Sequence, residues 1–311
     1  MCIKQLQTRT QGVIPALLLA LAMTMALPAF ADSDANSSEG QMALLLSTTN
    51  NPYFAAMKRA AQNKAEDLNV DFQVLDAHND SNQQVSQIQT LLAKQVDMLL
   101  VNPTNADAIT PAIKQANKAG VPVIFVDRAT NGGESLAFFA SDNVQAGKTA
   151  CQYLVDQMDG EGSLAILTGV PGASATNERS SGCDQVLNEH DKIDVVARQS
   201  AHFDRSEGLN VMQNMLTANP QGIDAVFAEN DEMALGAIKA LKSAHALDNT
   251  LVASIDGTPG GRKAVKAGEI DLNVAQQPAL MSKSAVATGY QYLKTDRLFI
   301  PVPLQKLTQD K

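Results

Sequence analysis

Tryptophan is absent from the 311 residues, aromatic side chains make up only 4% of them, and histidine occurs four times. With a formal charge of −9 and no tryptophan, the surface offers nothing that nucleic acid or an anionic membrane would need, so neither is an expected partner. His78, His190, His202 and His245 are dispersed and form no HExxH or similar cluster, so no metal site is indicated. Catalytic signatures are missing as well. "GVPGASATNER" has two glycines after an apolar run but lacks both the Walker lysine and the GxGxxG spacing. There is no GxSxG elbow and no credible Cys–His pair. Nothing here calls for an enzyme or a cofactor.

Long hydrophobic runs are scarce. The one that exists, "VIPALLLALAMTMAL", follows Lys4 and Arg9 in an acid-free stretch and ends on "AFA". It falls short of the roughly 20 residues that span a bilayer. The pattern predicts a secretory signal peptide over 1–31, cleaved after Ala31, then a polar leader over 32–41 and a periplasmic location. Loss of Lys4 and Arg9 takes the formal charge from −9 to −11. The mature chain, roughly 280 residues, has room for two cores. Its cysteines are Cys151 and Cys183. An oxidising compartment permits a disulfide between them, and the helical patterns around both suit two separate buried side chains equally well.

Short apolar runs alternate with helix-like stretches along the rest of the chain. Strands are predicted at 42–47, 71–77, 98–103, 122–128 and 137–141, then at 163–168, 193–201, 225–229, 251–256 and 272–276. Runs such as "MLLV" and "VIFV" are continuously apolar, as strands of a parallel sheet covered on both faces must be. Segments such as "YFAAMKRAAQNKAEDL" and "DEMALGAIKALKSA" repeat apolar residues at three and four, a helix face. The alternation restarts near residue 142, predicting an α/β chain of two doubly wound lobes. A (β/α)₈ barrel is the rival architecture.

In open α/β sheets ligands bind beyond the carboxyl ends of the strands. Those ends carry Ser47, Asp76, Asn102 and Asp127-Arg128, then Gly169, Ala201, Asn230, Asp256 and Gln276. Each polar one could simply cap the next helix, whereas the set together suggests a polar cleft. "FVDR" is the most informative, since adjacent opposite charges at the end of an apolar strand cost stability unless paired. An acceptor carboxylate beside a fork of donors suits a neutral polyhydroxylated ligand; a local salt bridge is the alternative.

The motifs "STTNNPYF", "VNPTNADAI", "GVPVIFVDR", "ASDNVQAGK", "NERSSG", "FAENDEMALGAIKAL" and "IDGTPGGRKAV" resemble, in order and over nearly the whole mature chain, the ribose-binding type of the periplasmic sugar-binding proteins that serve ABC importers. The resemblance implies the type I fold: two Rossmann-like lobes joined by a three-strand hinge, 42–141 with 277–305 and 142–276 with 306–311, closing on one sugar. It implies that Ser47 and Asn51 bond the sugar or brace its pocket, and that Tyr53 and Phe54 pack on one side of the ring with Phe203 on the other. Asp127 and Arg128 would bind hydroxyls from the first lobe, and Arg179, Asn230 and Asp256 from the second, with Gln276 at the hinge. It further implies a monomer whose ligand is a monosaccharide, D-ribose foremost and fructose or allose as alternatives. Its partners would be an ABC transporter permease and, as another reader of the closed form, a chemoreceptor. Aromatic plates and a charged rim match a pyranose, which has C–H faces and a hydroxyl edge. Two positions depart from the ribose-binding pattern: Tyr53 stands in place of Phe, and Cys183 in place of Phe, read as a packing change. Sugar-responsive repressors share the two-lobe core, but they begin with a helix-turn-helix where this chain has its apolar leader.

Overall fold

The computed structural model describes residues 40–297. The expected signal peptide, all but the end of the polar leader, and the tail 298–311 with its share of both lobes lie outside the described residues. Among the described residues, ten strands form two five-stranded sheets. The first contains β1 (Gln41–Leu46), β2 (Asp71–Asp76), β3 (Met98–Val101), β4 (Val123–Val126) and β5 (Ala137–Phe139), in the order β2-β1-β3-β4-β5. The second contains β6 (Gly162–Thr168), β7 (Ile193–Ser200), β8 (Ala225–Ala228), β9 (Leu251–Asp256) and β10 (Leu272–Ala275), in the order β10-β9-β8-β6-β7. Every pairing is parallel. Read from opposite ends, both sheets place their strands as second, first, third, fourth, fifth. Two open sheets of one winding, not a closed barrel, account for the restart near residue 142.

All ten predicted strands are present, and the differences lie at their ends. The strand predicted over 122–128 stops at Val126, because Asp127 takes φ +67° and turns the chain out of the ladder. That predicted over 98–103 stops at Val101, ahead of Asn102 and of Pro103, which has no N–H to give a neighbour. Helices α1 (Pro52–Asp67), α2 (Ser81–Ala93) and α3 (Thr110–Lys118) connect the first sheet; α4 (Asn143–Gln157) leads into the second. There α5 (Ser174–Leu187), α6 (Arg205–Ala218), α7 (Asp231–Ser243) and α8 (Pro259–Lys266) follow, and α9 (Pro278–Thr295) leaves it. The chain crosses between the sheets after Phe139 and again after Ala275. α9 packs on the first sheet, where Met281, Ala285 and Val286 join Met42, Leu44, Met98 and Ile124 in one core. Among the described residues, no helix is long and apolar enough to cross a membrane.

Cys151 on α4 and Cys183 on α5 form a disulfide with Cα atoms 5.2 Å apart, and both are fully buried. The reading of Cys183 as a packing change is thereby corrected: the residue is one half of a cross-link between two helices.

Candidate functional site

The order of each sheet reverses beside its first strand, between β1 and β3 and between β6 and β8, which is where such sheets open a crevice. Side chains from both sheets' sides meet around one narrow cavity there, with only about 10 Å³ open to a water-sized sphere. Its walls are Asn51, Tyr53, Phe54, Asp127 and Arg128 from the first sheet's side, and Ala175, Arg179, Phe203, Asn230 and Asp256 from the second's.

On the first side, Asn51 caps α1, its Oδ1 accepting from the Tyr53 amide at 2.8 Å, and Pro52 opens the helix. That first turn points both aromatic rings inward, edge to face with centroids 5.2 Å apart. Asp127 accepts from the Tyr53 hydroxyl through Oδ1 at 2.6 Å and from Asn102 Nδ2 through Oδ2 at 3.0 Å. Asn102 Oδ1 in turn accepts from the Ser47 amide. Arg128 is only 2% exposed, yet its Nε and Nη1 have no hydrogen-bond partner. The local ion pair considered for "FVDR" is long, with Nε 3.7 Å from Asp127 Oδ2. The guanidinium carbon instead lies 5.2 Å from the ring centroids of both Phe54 and Phe203, a cation–π arrangement. The aromatic plates thus flank an arginine fork as well as the cavity.

On the second side, Arg179 reaches from α5 between two anchors. Its Nε donates to Asn143 Oδ1 at 2.9 Å and its Nη1 to the Glu229 carbonyl at 2.5 Å, which leaves Nη1 3.9 Å from Asp256 Oδ1. Asn230 caps α7 by accepting from the Met233 amide and donates to the Phe203 carbonyl. Phe203 sits over Gly169, where a Cβ would collide with its ring, so the glycine that follows β6 lets the ring lie against the backbone. Gln276 donates to Asp256 through Nε2 at 2.9 Å, and its Oε1 lies 3.2 Å from the Tyr53 hydroxyl.

Nine of the eleven expected site residues therefore line the cavity. The other two stand behind it. Ser47 is fully buried with its hydroxyl unpartnered, and Gln276 links Tyr53 to Asp256. Sequence reasoning missed Ala175, Asn143 and Glu229, and it noted Asn102 only as a strand end. Glu229 precedes Asn230 in "AEND" and offered a signal of position alone.

The carboxyls respond to this burial in opposite chemical contexts. Burial pushes Asp256 from the ordinary 3.8 to about 8, against the opposing pull of Arg179. Burial likewise lifts Glu229 from 4.5 to about 7, although Ser180 and the Gly169 amide donate to it. Burial and the Asp127 carboxylate hold the Tyr53 phenol well above its usual value, so it stays a donor. Because both acids are raised, the folded protein keeps protons that the unfolded chain releases. The stability this contributes is fully present below about pH 4 and lost as pH rises through about 7 and about 8. The melting temperature of the unliganded protein should therefore fall between pH 6 and pH 8.5; a flat profile in that window would contradict the assignment. A ligand whose hydroxyls donate to Asp256 favours its anion, so binding should expel a proton and tighten with rising pH, read by calorimetry in buffers of different ionisation enthalpy.

These features define a class: two doubly wound lobes whose crevice pairs arginine forks and carboxylates with aromatic rings. The family model of the periplasmic binding protein domain matches residues 42–297, and the chain belongs to that family. It is 42% identical over 288 residues to the ribose import binding protein RbsB of Escherichia coli (strain K12), covering 92% of this chain and 96% of that protein. An ABC transporter solute-binding protein from Bacillus halodurans C-125, solved with bound myo-inositol, superposes with TM-score 0.79 at 33% identity, over 83% of this chain and 90% of its own. One from Actinobacillus succinogenes 130Z, with bound D-allose, gives 0.76 at 31%, over 84% and 93%. These relatives are solute-binding transport proteins and not enzymes.

Proposed function

We propose that the chain captures a monosaccharide, D-ribose foremost, in the cleft between its two sheets and delivers it to an ABC importer in the periplasm. One observation carries this reading: Arg128 is buried with unpaired donors at a cavity that also holds two carboxyl side chains and three aromatic rings. Leaving a buried donor unpaired costs about 1–3 kcal/mol, which ligand oxygens would recover. Hydroxyls both donate and accept, so a sugar serves Arg128, Arg179 and the carboxylates at once. Ser47 and Gln276 brace the pocket and the nine lining residues contact the ligand. The lobes, 42–141 with 277–305 and 142–276 with 306–311, close about the segments that join them. Because the pocket draws on both, bound sugar favours the closed state by contacts the open state lacks. Residues 1–31 direct export, and a permease, and in a second role a chemoreceptor, reads the closed monomer.

The bound myo-inositol and D-allose of the structural neighbours favour a second reading, another small polyol in the same cleft. A panel of pentoses, hexoses and inositol, read by thermal shift and calorimetry, separates the two. Ribose at micromolar concentration should raise the melting temperature, as a ligand of the native state must. Response to a hexose alone moves the ligand and keeps the class. Silence towards every polyol would overturn the sugar-binding reading.

A further inference from the structure

Ligand selection can be taken further at Tyr53, on the basis of the sugar-binding reading above. A phenolic oxygen cannot be re-aimed without moving its ring; only its proton rotates. The Tyr53 ring is 4% exposed and set edge-on to Phe54, with ring planes at 87°. Three acceptors surround the hydroxyl: Asp127 Oδ1 at 2.6 Å, Gln276 Oε1 at 3.2 Å and Met281 Sδ at 3.8 Å. The carboxylate oxygen is nearest and charged, so it takes the proton.

Asp127 therefore meets a ligand with much of its capacity already used. A carboxylate has about four acceptor sites. Tyr53 occupies one on Oδ1 and Asn102 one on Oδ2, while the Arg128 fork crowds Oδ2 at 3.7 Å. Neither partner can readily withdraw. Asn102 is pinned by the Ser47 amide and by its own bond to the Val126 carbonyl, and Tyr53 by its packing.

We propose that Tyr53 is a specificity-determining residue: its hydroxyl holds an acceptor site of Asp127, so the cleft selects a monosaccharide that directs a single hydroxyl at this carboxylate. A phenylalanine at this position would leave room for two. The cleft should therefore accept, about as well as ribose itself, a pentose-sized sugar with C–H in place of the second hydroxyl along that edge.

Calorimetry of D-ribose, 2-deoxy-D-ribose and 3-deoxy-D-ribose, with the wild-type protein and with Tyr53→Phe, tests this. In the wild type, one deoxy sugar should bind within about threefold of ribose, because the missing hydroxyl has no free acceptor. In Tyr53→Phe the ratio should shift towards ribose by about tenfold or more, the worth of one charge-assisted hydrogen bond. Unchanged ratios would overturn the assignment, showing that the phenol turns to Gln276 when sugar enters. Uniform weakening of all three sugars would also overturn it, marking the hydroxyl as a brace. An unliganded melt of Tyr53→Phe close to wild type establishes that the comparison is between folded proteins. Failure of every sugar to bind the wild type strikes the sugar-binding reading itself, and this assignment with it.

Discussion

Arg179→Ala is expected to weaken sugar binding by more than about a hundredfold while the unliganded protein still unfolds cooperatively. Hydrogen bonds from a charged group contribute roughly 1.5–3 kcal/mol each, and a guanidinium fork can supply more than one. Arg179 is 3% exposed and aimed by two anchors, so its donors are placed before a ligand arrives. Its loss also removes the cation nearest Asp256, whose carboxyl then rises further and becomes a poorer acceptor. The fold should survive. The Glu229 carbonyl and Asn143 Oδ1 lose a donor, yet Arg128 is relieved of a like charge that disfavours its own ionised form. Arg179→Lys keeps the charge without the fork and should fall between the two. The measurements are calorimetric affinity and a thermal melt on each variant. An alanine variant that binds within threefold of wild type would remove Arg179 from the site.

How far this site could be read in advance depended on what each residue does. Asp127 and Arg128 were legible because charge at the end of a continuously apolar strand has no structural excuse, and the strand itself was plain in "VIFV". Asn230 was legible as a cap at a strand end and Asn51 only through the resemblance, and the structure gives each a capping task as well as a place in the cavity wall. Asn143 and Glu229 were not, because they act through Arg179 from distant points in the chain, and no local pattern marks a residue that orients another. The Arg128 fork between Phe54 and Phe203 was hidden for the same reason: three elements meet there, and periodicity describes one element at a time. The Tyr53 hydroxyl was visible as an extra polar atom, but only coordinates show that it lands on Asp127.

Opening the Cys151–Cys183 bond should produce a large loss of stability without touching the cavity. The bridge closes a loop with a sequence separation of 32, which in the chain-entropy account corresponds to about 3–4 kcal/mol. At about 2.1 cal/mol/K of unfolding entropy per residue, a chain of roughly 280 residues should lose about 5–7 °C in melting temperature. Affinity should respond far less. α4 and α5 approach through Gly147 and Gly182, where an added Cβ would strike the Arg179 and Val144 carbonyls respectively, so the two backbones are already in contact. Asn143 on α4 also holds Arg179 on α5 independently of the sulfurs. Removing the bridge therefore frees the unfolded chain more than it loosens the folded pair. The comparison is the Cys151→Ala/Cys183→Ala protein, and separately the reduced wild type, against the oxidised protein, each by melting and by sugar calorimetry. Identical melting temperatures for the oxidised and reduced protein would mean the bridge adds nothing. A collapse in affinity matching the loss of stability would show that the disulfide, and not the glycine contact, sets the position of Arg179.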